Sequence, residues 1–101
     1  MTEEQKFVRT SFHTDQEVYK QFKIWTVKNC VSIKEYFEQE IKKHITMTDI
    51  SKDDFNIDLS YNITKPFVID KEILKELNIW LLKNDISLKN LMNKIMLNAL
   101  E

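Results

Sequence analysis

One segment of this chain occurs twice, 55 positions apart. Residues 12–41 (FHTDQEVYKQFKIWTVKNCVSIKEYFEQEI) align without a gap with residues 67–96 (FVIDKEILKELNIWLLKNDISLKNLMNKIM). The identical pairs are Phe12/Phe67, Asp15/Asp70, Glu17/Glu72, Lys20/Lys75, Ile24/Ile79, Trp25/Trp80, Lys28/Lys83, Asn29/Asn84, Ser32/Ser87 and Lys34/Lys89. Two copies are too few for a solenoid, in which three or more units stack, so the repeat predicts two copies packed on each other.

The first helix of each copy is indicated by a start signal and an apolar spacing. Thr14 and Glu17 have the spacing of a capping box, and apolar residues on one helical face follow, which predicts a helix over about 15–28. The chain contains no glycine. We therefore expect Asn29, and Asn84 in the second copy, to adopt the left-handed conformation that ends this helix.

The second helix of each copy is predicted to begin at a serine. Ser32 and Ser87 are good N-caps, and an apolar stripe follows each of them, which predicts helices over 33–45 and 88–100. His44, near the end of the first of these, is expected to interact with the negative end of the helix dipole. In the second copy the apolar residues cover more than one stripe, which suits either a core or a contact between molecules: Leu91, Met92, Ile95, Met96, Leu97 and Leu100.

A period of two residues precedes the first helix and predicts a strand with one face on the core. Val8, Thr10 and Phe12 alternate with Arg9, Ser11 and His13. In the second copy the alternation runs over residues 55–63, which predicts a strand there. Pro66 would lie where that strand ends, which is tolerated because both strands of a two-stranded ribbon are edges.

Length and pattern together predict one compact domain over residues 1–101. The expected fold is mainly α with a two-stranded antiparallel ribbon, an intramolecular pseudo-dimer of two strand-helix-helix units. The first unit covers 6–45, a connector covers 46–61, and the second unit covers 62–101. One chain carrying both units removes the concentration dependence of their pairing.

The formal net charge of −1 is distributed unevenly along the chain. Residues 1–45 contain 8 basic and 7 acidic side chains, residues 46–61 contain 1 and 4, and residues 62–101 contain 6 and 5. The connector is therefore acidic, and both units are slightly basic.

Several classes of protein are disfavoured by what the sequence lacks. It has no signal peptide and no apolar run of about 20 residues, so a cytoplasmic protein without a membrane span is expected. One cysteine, Cys30, excludes an internal disulfide and does not make a metal site by itself. The carboxylates have no partnered histidine or nucleophile, and no glycine loop is present, so we expect neither an enzyme nor a cofactor or metal.

The order of strand, helix, Asn turn and Ser-capped helix resembles the ribbon-helix-helix family of bacterial and phage DNA-binding proteins, the Arc and MetJ type. The resemblance covers both copies, over about 7–45 and 62–100, and is closest in EVYKQFKIWTVKNCVSIKEYF. It implies that the ribbon enters the major groove of double-stranded DNA and that its outward side chains read base edges. It also implies that the N-termini of the second helices clamp backbone phosphates.

Carried over to this sequence, the resemblance implies two sets of site residues. The base-reading set is Arg9, Ser11 and His13 in the first copy and Asn62, Thr64 and Lys65 in the second. Thr64, Pro66 and Val68 occupy the matching strand positions, so the first strand is expected to dominate the readout. The phosphate-binding set is Val31, Ser32, Ile33 and Lys34, together with Ile86, Ser87, Leu88 and Lys89.

Two functions follow from these observations as expectations. The first is sequence-specific binding of double-stranded DNA by a transcriptional repressor or by a plasmid regulator of copy number, partition or transfer. Such a chain is expected to be a monomeric pseudo-dimer in solution that assembles cooperatively as two or more chains on adjacent DNA repeats. The alternative is a protein-protein interaction module that keeps the fold without binding DNA, which the near-neutral charge and the poorer second strand favour.

Overall fold

A computed structural model of the chain describes residues 6–48 and 50–101. The parts of the predicted domain and connector at residues 1–5 and 49 lie outside this description. The described chain is mainly helical, with one two-stranded antiparallel sheet. Its elements in chain order are β1 (Phe7–Thr14), α1 (Gln16–Lys28), α2 (Ile33–Ile45), a 3-10 turn (Lys52–Phe55), β2 (Ile63–Asp70), α3 (Lys71–Asn84) and α4 (Leu88–Leu100).

The two strands pair over their whole length, from Phe7 opposite Asp70 to Thr14 opposite Ile63. The strand predicted from the alternation over residues 55–63 is therefore wrong, apart from its last residue. The strand positions predicted from the repeat, Thr64, Pro66 and Val68, are confirmed. An alternating pattern makes a strand only where a partner supplies the ladder of hydrogen bonds. β1 has eight residues, and all of them are paired with residues 63–70.

Pro66 lies in the middle of β2 rather than at its end. The N–H of Lys71 donates to the carbonyl of Lys6 at 2.8 Å, so the pair formed by these two residues is hydrogen-bonded. Bonded and non-bonded pairs alternate along an antiparallel ladder, which makes Ser11 and Pro66 a non-bonded pair. The proline nitrogen therefore faces the outer edge of the ribbon, where no ladder N–H is needed.

An aspartate, and not Thr14, caps the first helix of each copy. The carboxylate of Asp15 accepts hydrogen bonds from the N–H groups of Glu17 and Val18, at 2.9 and 3.2 Å. Asp70 makes the same two bonds at the start of α3. The predicted Thr14 capping box is wrong because Thr14 is the buried last residue of β1, with its hydroxyl bonded to Asn93.

The left-handed residues at the helix ends lie one position later than predicted. Cys30 has φ 54° and Asp85 has φ 55°, whereas Asn29 has φ −98°. The N–H groups of Val31 and Ile86 then bond to carbonyls five residues earlier, each at 3.0 Å, which is the Schellman motif. The Asn29 and Asn84 side chains instead donate to the carbonyls of Trp25 and Trp80, each at 2.8 Å.

The predicted second helices are confirmed at both ends. Ser32 caps α2 through the N–H of Glu35, and Ser87 caps α4 through the N–H of Asn90. Both serines act as N-caps because each is followed at once by an apolar helical stripe that the core buries.

The helices pack crosswise over one face of the ribbon. α1 contacts α4, and α2 contacts α3. Most of the additional apolar side chains of α4 belong to the core, because Leu91, Met92, Ile95 and Met96 are buried. Only Leu100 of that set is exposed, at 37%. The cluster at the centre also includes Phe12, Phe22, Phe37, Ile41, Phe67, Ile69, Leu77, Trp80 and Ile86.

The connector contributes to this core as well. The 3-10 turn places Phe55 against the rings of His44 and Trp80, with centroids 5.9 and 6.0 Å away. The Nδ1 atom of the buried His44 donates to the carbonyl of Glu40 at 2.7 Å, which is a carbonyl of its own helix near the C-terminus. Among the described residues, no helix has the length and apolar character needed to cross a membrane.

Candidate nucleic-acid interface

The ribbon has one face on the core and one face in solvent. Arg9, Ser11 and His13 are exposed on the outer face, and Thr64 is exposed opposite His13. This arrangement follows from the two-residue period of a strand, because every second side chain of β1 and β2 points away from the helices. Four of the six residues predicted to read bases are thus brought together on one surface.

The outer face differs along its length. At one end His13 Nδ1 and Thr64 Oγ1 share a hydrogen bond of 2.9 Å across the strands. At the other end Phe7 and Val68 are exposed apolar side chains, at 41% and 38%. Arg9 pairs with Val68 across the ribbon, and no ion pair to Arg9 occurs within residues 6–48 and 50–101. One end of the face is therefore polar, and the other combines apolar surface with Arg9 and with the lysines that lie over the Phe7 ring, Lys6 and Lys34.

The other two residues predicted to read bases lie away from this face. The Oδ1 atom of Asn62 accepts a hydrogen bond from the N–H of Gln16 at 3.0 Å, so Asn62 helps to begin α1. Lys65 is half-buried on the opposite side of β2, with its Nζ atom 5.0 Å from the ring centre of Tyr19. There it lines a groove along α1 together with Lys20 and Lys23.

The N-termini of α2 and α4 supply free amide groups. Ser32 Oγ accepts from the third N–H of α2 at 3.4 Å, and the Ser32 carbonyl accepts from Tyr36. In the described part of the chain, the N–H groups of Ile33 and Lys34 have no acceptor. The same holds for Leu88 and Lys89 after Ser87 in α4. Such N–H groups, at the positive end of the helix dipole, attract anions.

Two of the eight residues predicted to bind phosphate are otherwise engaged. The N–H groups of Val31 and Ile86 belong to the Schellman bonds, and the Ile86 side chain is buried. The positions that can offer an N–H group or a charge are therefore Ser32, Ile33 and Lys34 at one helix and Ser87, Leu88 and Lys89 at the other.

An aromatic ring holds each lysine of this set at an end of the ribbon. Lys34 Nζ lies 4.0 Å from the ring centre of Phe7, at the start of β1. Lys89 Nζ lies 4.2 Å from the ring centre of Tyr61, two residues before β2. Because the strands are antiparallel, these two positions are at opposite ends of the ribbon. Burial, and secondarily the Asp58 carboxylate, raise the pKa of the Tyr61 phenol, so this ring is uncharged near neutral pH.

Sequence reasoning missed both aromatic rings. Phe7 follows the same alternation as Arg9, and that signal could have placed it on the outer face. Tyr61 belongs to the alternation over residues 55–63, but it has φ 49° and lies outside the strand, so that pattern could not place it beside Lys89. In the described ranges, no three side chains of His, Cys, Asp or Glu are grouped as ligands of a metal ion.

Comparison of the chain with protein-family models, with curated proteins and with solved structures finds no match.

Proposed function

We propose that this protein belongs to the ribbon-helix-helix class and binds double-stranded DNA sequence-specifically, as an intramolecular pseudo-dimer. The observation that supports it best is the outer ribbon face, where Arg9, Ser11, His13 and Thr64 have no role in the core and lie between two helix N-termini that carry lysines. The element order β-α-α-β-α-α and the crosswise helix contacts are what two interlocked units require.

A two-stranded ribbon with these outward side chains suits the major groove. That groove is about 12 Å wide and admits a two-stranded ribbon. Arg9 can bond guanine O6 and N7 together, while Ser11 and Thr64 can donate to or accept from several base edges. Val68 and Phe7 offer apolar contact to thymine methyl groups beside Arg9. Most of the hydrogen bonding would come from β1, because Pro66 and Val68 have no side-chain donor or acceptor.

The helix N-termini would fix the ribbon in the groove. The free N–H groups at the starts of α2 and α4 can each take one phosphate oxygen, and Lys34 and Lys89 add a charge at each end of the ribbon. Contacts of this kind position a protein on the duplex without reading sequence.

The protein would act as a non-enzymatic cytoplasmic regulator, either a repressor or a plasmid copy-number, partition or transfer protein. One chain has one ribbon and would cover one short half-site. Two or more chains would therefore bind adjacent repeats cooperatively. Saturation of a mapped operator by one chain without cooperativity would contradict this part of the proposal.

The test begins with selection from a library of duplexes with a randomised core, followed by titration of the enriched duplex and a shuffled duplex at several salt concentrations. We expect the enriched sequence to bind more tightly and both affinities to fall steeply with salt as counterions are released. If no sequence is enriched, the proposal of sequence-specific binding is wrong.

Four variants divide the interface into base and phosphate contacts. Arg9→Ala should reduce the binding free energy for the enriched duplex by about 1–3 kcal/mol. The protein's preference for the enriched duplex over the shuffled one should fall accordingly. Lys34→Gln and Lys89→Gln should each weaken binding to both duplexes equally. Each should also lower the slope of the logarithm of affinity against the logarithm of salt concentration by about 1. Lys42→Gln is the matched control, because Lys42 is exposed in the last turn of α2, at the opposite end of the helix from Lys34, in an ion pair with Glu38. It should leave binding unchanged.

A second candidate function is supported by the apolar end of the outer face. Phe7 and Val68 are exposed there, and Pro66 is exposed next to Val68 in the middle of the face; these side chains would suit the surface of a partner protein. The salt series separates the two candidates, since a mainly apolar contact with a protein lacks the steep salt dependence of phosphate binding.

A further inference from the structure

Large apolar side chains are exposed at the same positions of both copies, on the first helix of each. Ile24 and Val27 on α1 are 40% and 77% exposed, and Ile79 and Leu82 on α3 are 50% and 82% exposed. Each pair is three residues apart and so lies on one helical face. These faces point away from the core described above.

The charges beside the two faces differ. On α3, Glu76 comes three residues before Ile79 and Lys83 comes four residues after it, so all three side chains share one side of the helix. Within residues 6–48 and 50–101, neither Glu76 nor Lys83 has an ion-pair partner. The matching positions on α1 are Gln21 and Lys28, which lack the negative member.

We propose that the face of α3 formed by Glu76, Ile79, Leu82 and Lys83 binds the same face of a second copy of this chain, with the two helices antiparallel. A two-fold axis near Ile79 places Glu76 of each copy opposite Lys83 of the other, on the same side of the helix pair. Leu82, on the opposite side, then packs on the aliphatic stem of Lys75 of the second copy. The surface is therefore complementary to itself, as an isologous interface must be.

This contact forms a dimer of two chains and no larger assembly. α1 has Gln21 in place of Glu76, so two α1 faces would leave Lys28 of each copy without an opposite charge. One self-complementary face per chain closes the assembly after two copies. The contact needs no DNA and is independent of the proposed DNA binding.

The dimer is expected to be weak. α3 has 14 residues, so it is about 21 Å long and about 10 Å wide. A face-to-face contact would bury only a few hundred Å² of each copy, against about 800 Å² per partner in stable complexes. The chain should thus be monomeric when dilute and dimeric when concentrated.

Sedimentation equilibrium over about 10 µM to about 1 mM tests this directly. We expect the mass to rise from the 12.2 kDa of one chain towards twice that value. Glu76→Lys and Lys83→Glu should each weaken association about tenfold or more, because each places like charges opposite one another at two points. The double variant Glu76→Lys/Lys83→Glu restores both ion pairs in reverse and should dimerise as the unmodified chain does.

The repeat supplies a matched control. Ile79→Glu should abolish dimerisation, whereas Ile24→Glu, at the equivalent exposed position of α1, should leave it unchanged, with folding of both variants verified by circular dichroism. A chain that stays monomeric up to about 1 mM, a double reversal that fails to restore association, or equal loss with Ile24→Glu would each overturn the proposal.

Discussion

The side-chain amide of Asn93 on α4 donates a hydrogen bond of 2.9 Å to the backbone carbonyl of His13 on β1. It also donates to the carbonyl of Lys89 at 2.7 Å, and its own oxygen accepts a bond from the hydroxyl of Thr14. Asn93 and Thr14 are both fully buried. The residues equivalent to them in the other copy are Glu38 and Ile69, so this contact occurs once and fixes the end of β1 to α4.

A double-mutant cycle should show the coupling between Asn93 and Thr14. Asn93→Leu should lower the free energy of unfolding by about 2–3 kcal/mol, because it leaves the buried Thr14 hydroxyl and His13 carbonyl without their partner. Thr14→Val should destabilise the original chain but stabilise the Asn93→Leu variant, where the hydroxyl has lost its acceptor. Urea unfolding measures all four forms. Equal effects of Thr14→Val in both backgrounds would show that the two side chains are not coupled.

Replacing Cys30 by glycine should stabilise the protein. Cys30 is exposed and has φ 54°, a conformation that costs a residue with a Cβ atom about 1–2 kcal/mol. We expect Cys30→Gly to raise the free energy of unfolding by about 1 kcal/mol after the entropic cost of glycine.

The neighbouring residue provides the control for Cys30→Gly. Asn29 has φ −98°, and its side chain bonds to Trp25 O, so Asn29→Gly should destabilise the chain. Asp85→Gly should raise the free energy of unfolding by less than Cys30→Gly does, because it also removes the ion pair between Asp85 and Lys52 at 2.6 Å. Stabilisation by Asn29→Gly would contradict the assignment of Cys30 as the left-handed residue.

Asp15 should contribute to the loss of stability in acid. The hydrogen bond from the Val18 N–H, together with that from Glu17, holds the pKa of the Asp15 carboxyl below its usual 3.8. A carboxyl whose pKa is lower in the folded state stabilises the fold above the unfolded pKa, and this contribution disappears as pH falls through the folded pKa. Asp15→Asn keeps a neutral cap, so its free energy of unfolding should fall less between about pH 5 and pH 2.

Urea unfolding at a series of pH values measures this difference. Asp54→Asn, in the exposed 3-10 turn, is a control that removes a carboxylate without removing a helix cap. A pH dependence of Asp15→Asn identical to that of the original chain would count against the capping role.

Phe55 should be essential to the fold although it belongs to the connector. Its side chain is 4% exposed and lies between His44 and Trp80. Phe55→Ala should therefore lower the free energy of unfolding by about 3–5 kcal/mol. Leu59→Ala, at a half-buried connector position, should cost less. Thermal unfolding followed by circular dichroism measures both. A small effect of Phe55→Ala would mean that the connector packs loosely on the helices.

Residues close together in sequence were enough to predict the helices. The bounds of α2 and α4 agree with the predictions because a serine cap and an apolar stripe are both local signals. The alternation in β1 likewise separated Arg9, Ser11 and His13 from the core positions. The true cap residues, Asp15 and Asp70, are identical in the repeat, whereas Thr14 has only the spacing to Glu17 that a capping box requires.

The strand partner, the helix ends and the composition of the outer face depended on contacts distant in sequence. Residues 55–62 alternate like a strand, but β1 has no free positions to pair with them. Thr14 does not cap α1 because its hydroxyl donates a hydrogen bond to Asn93, 79 residues away. Lys65 lies on the opposite face from Thr64 because pairing with β1 sets which side of β2 meets the helices. Local periodicity thus decided which segments become helices or strands, and tertiary hydrogen bonding and burial decided where each ends and which way it faces.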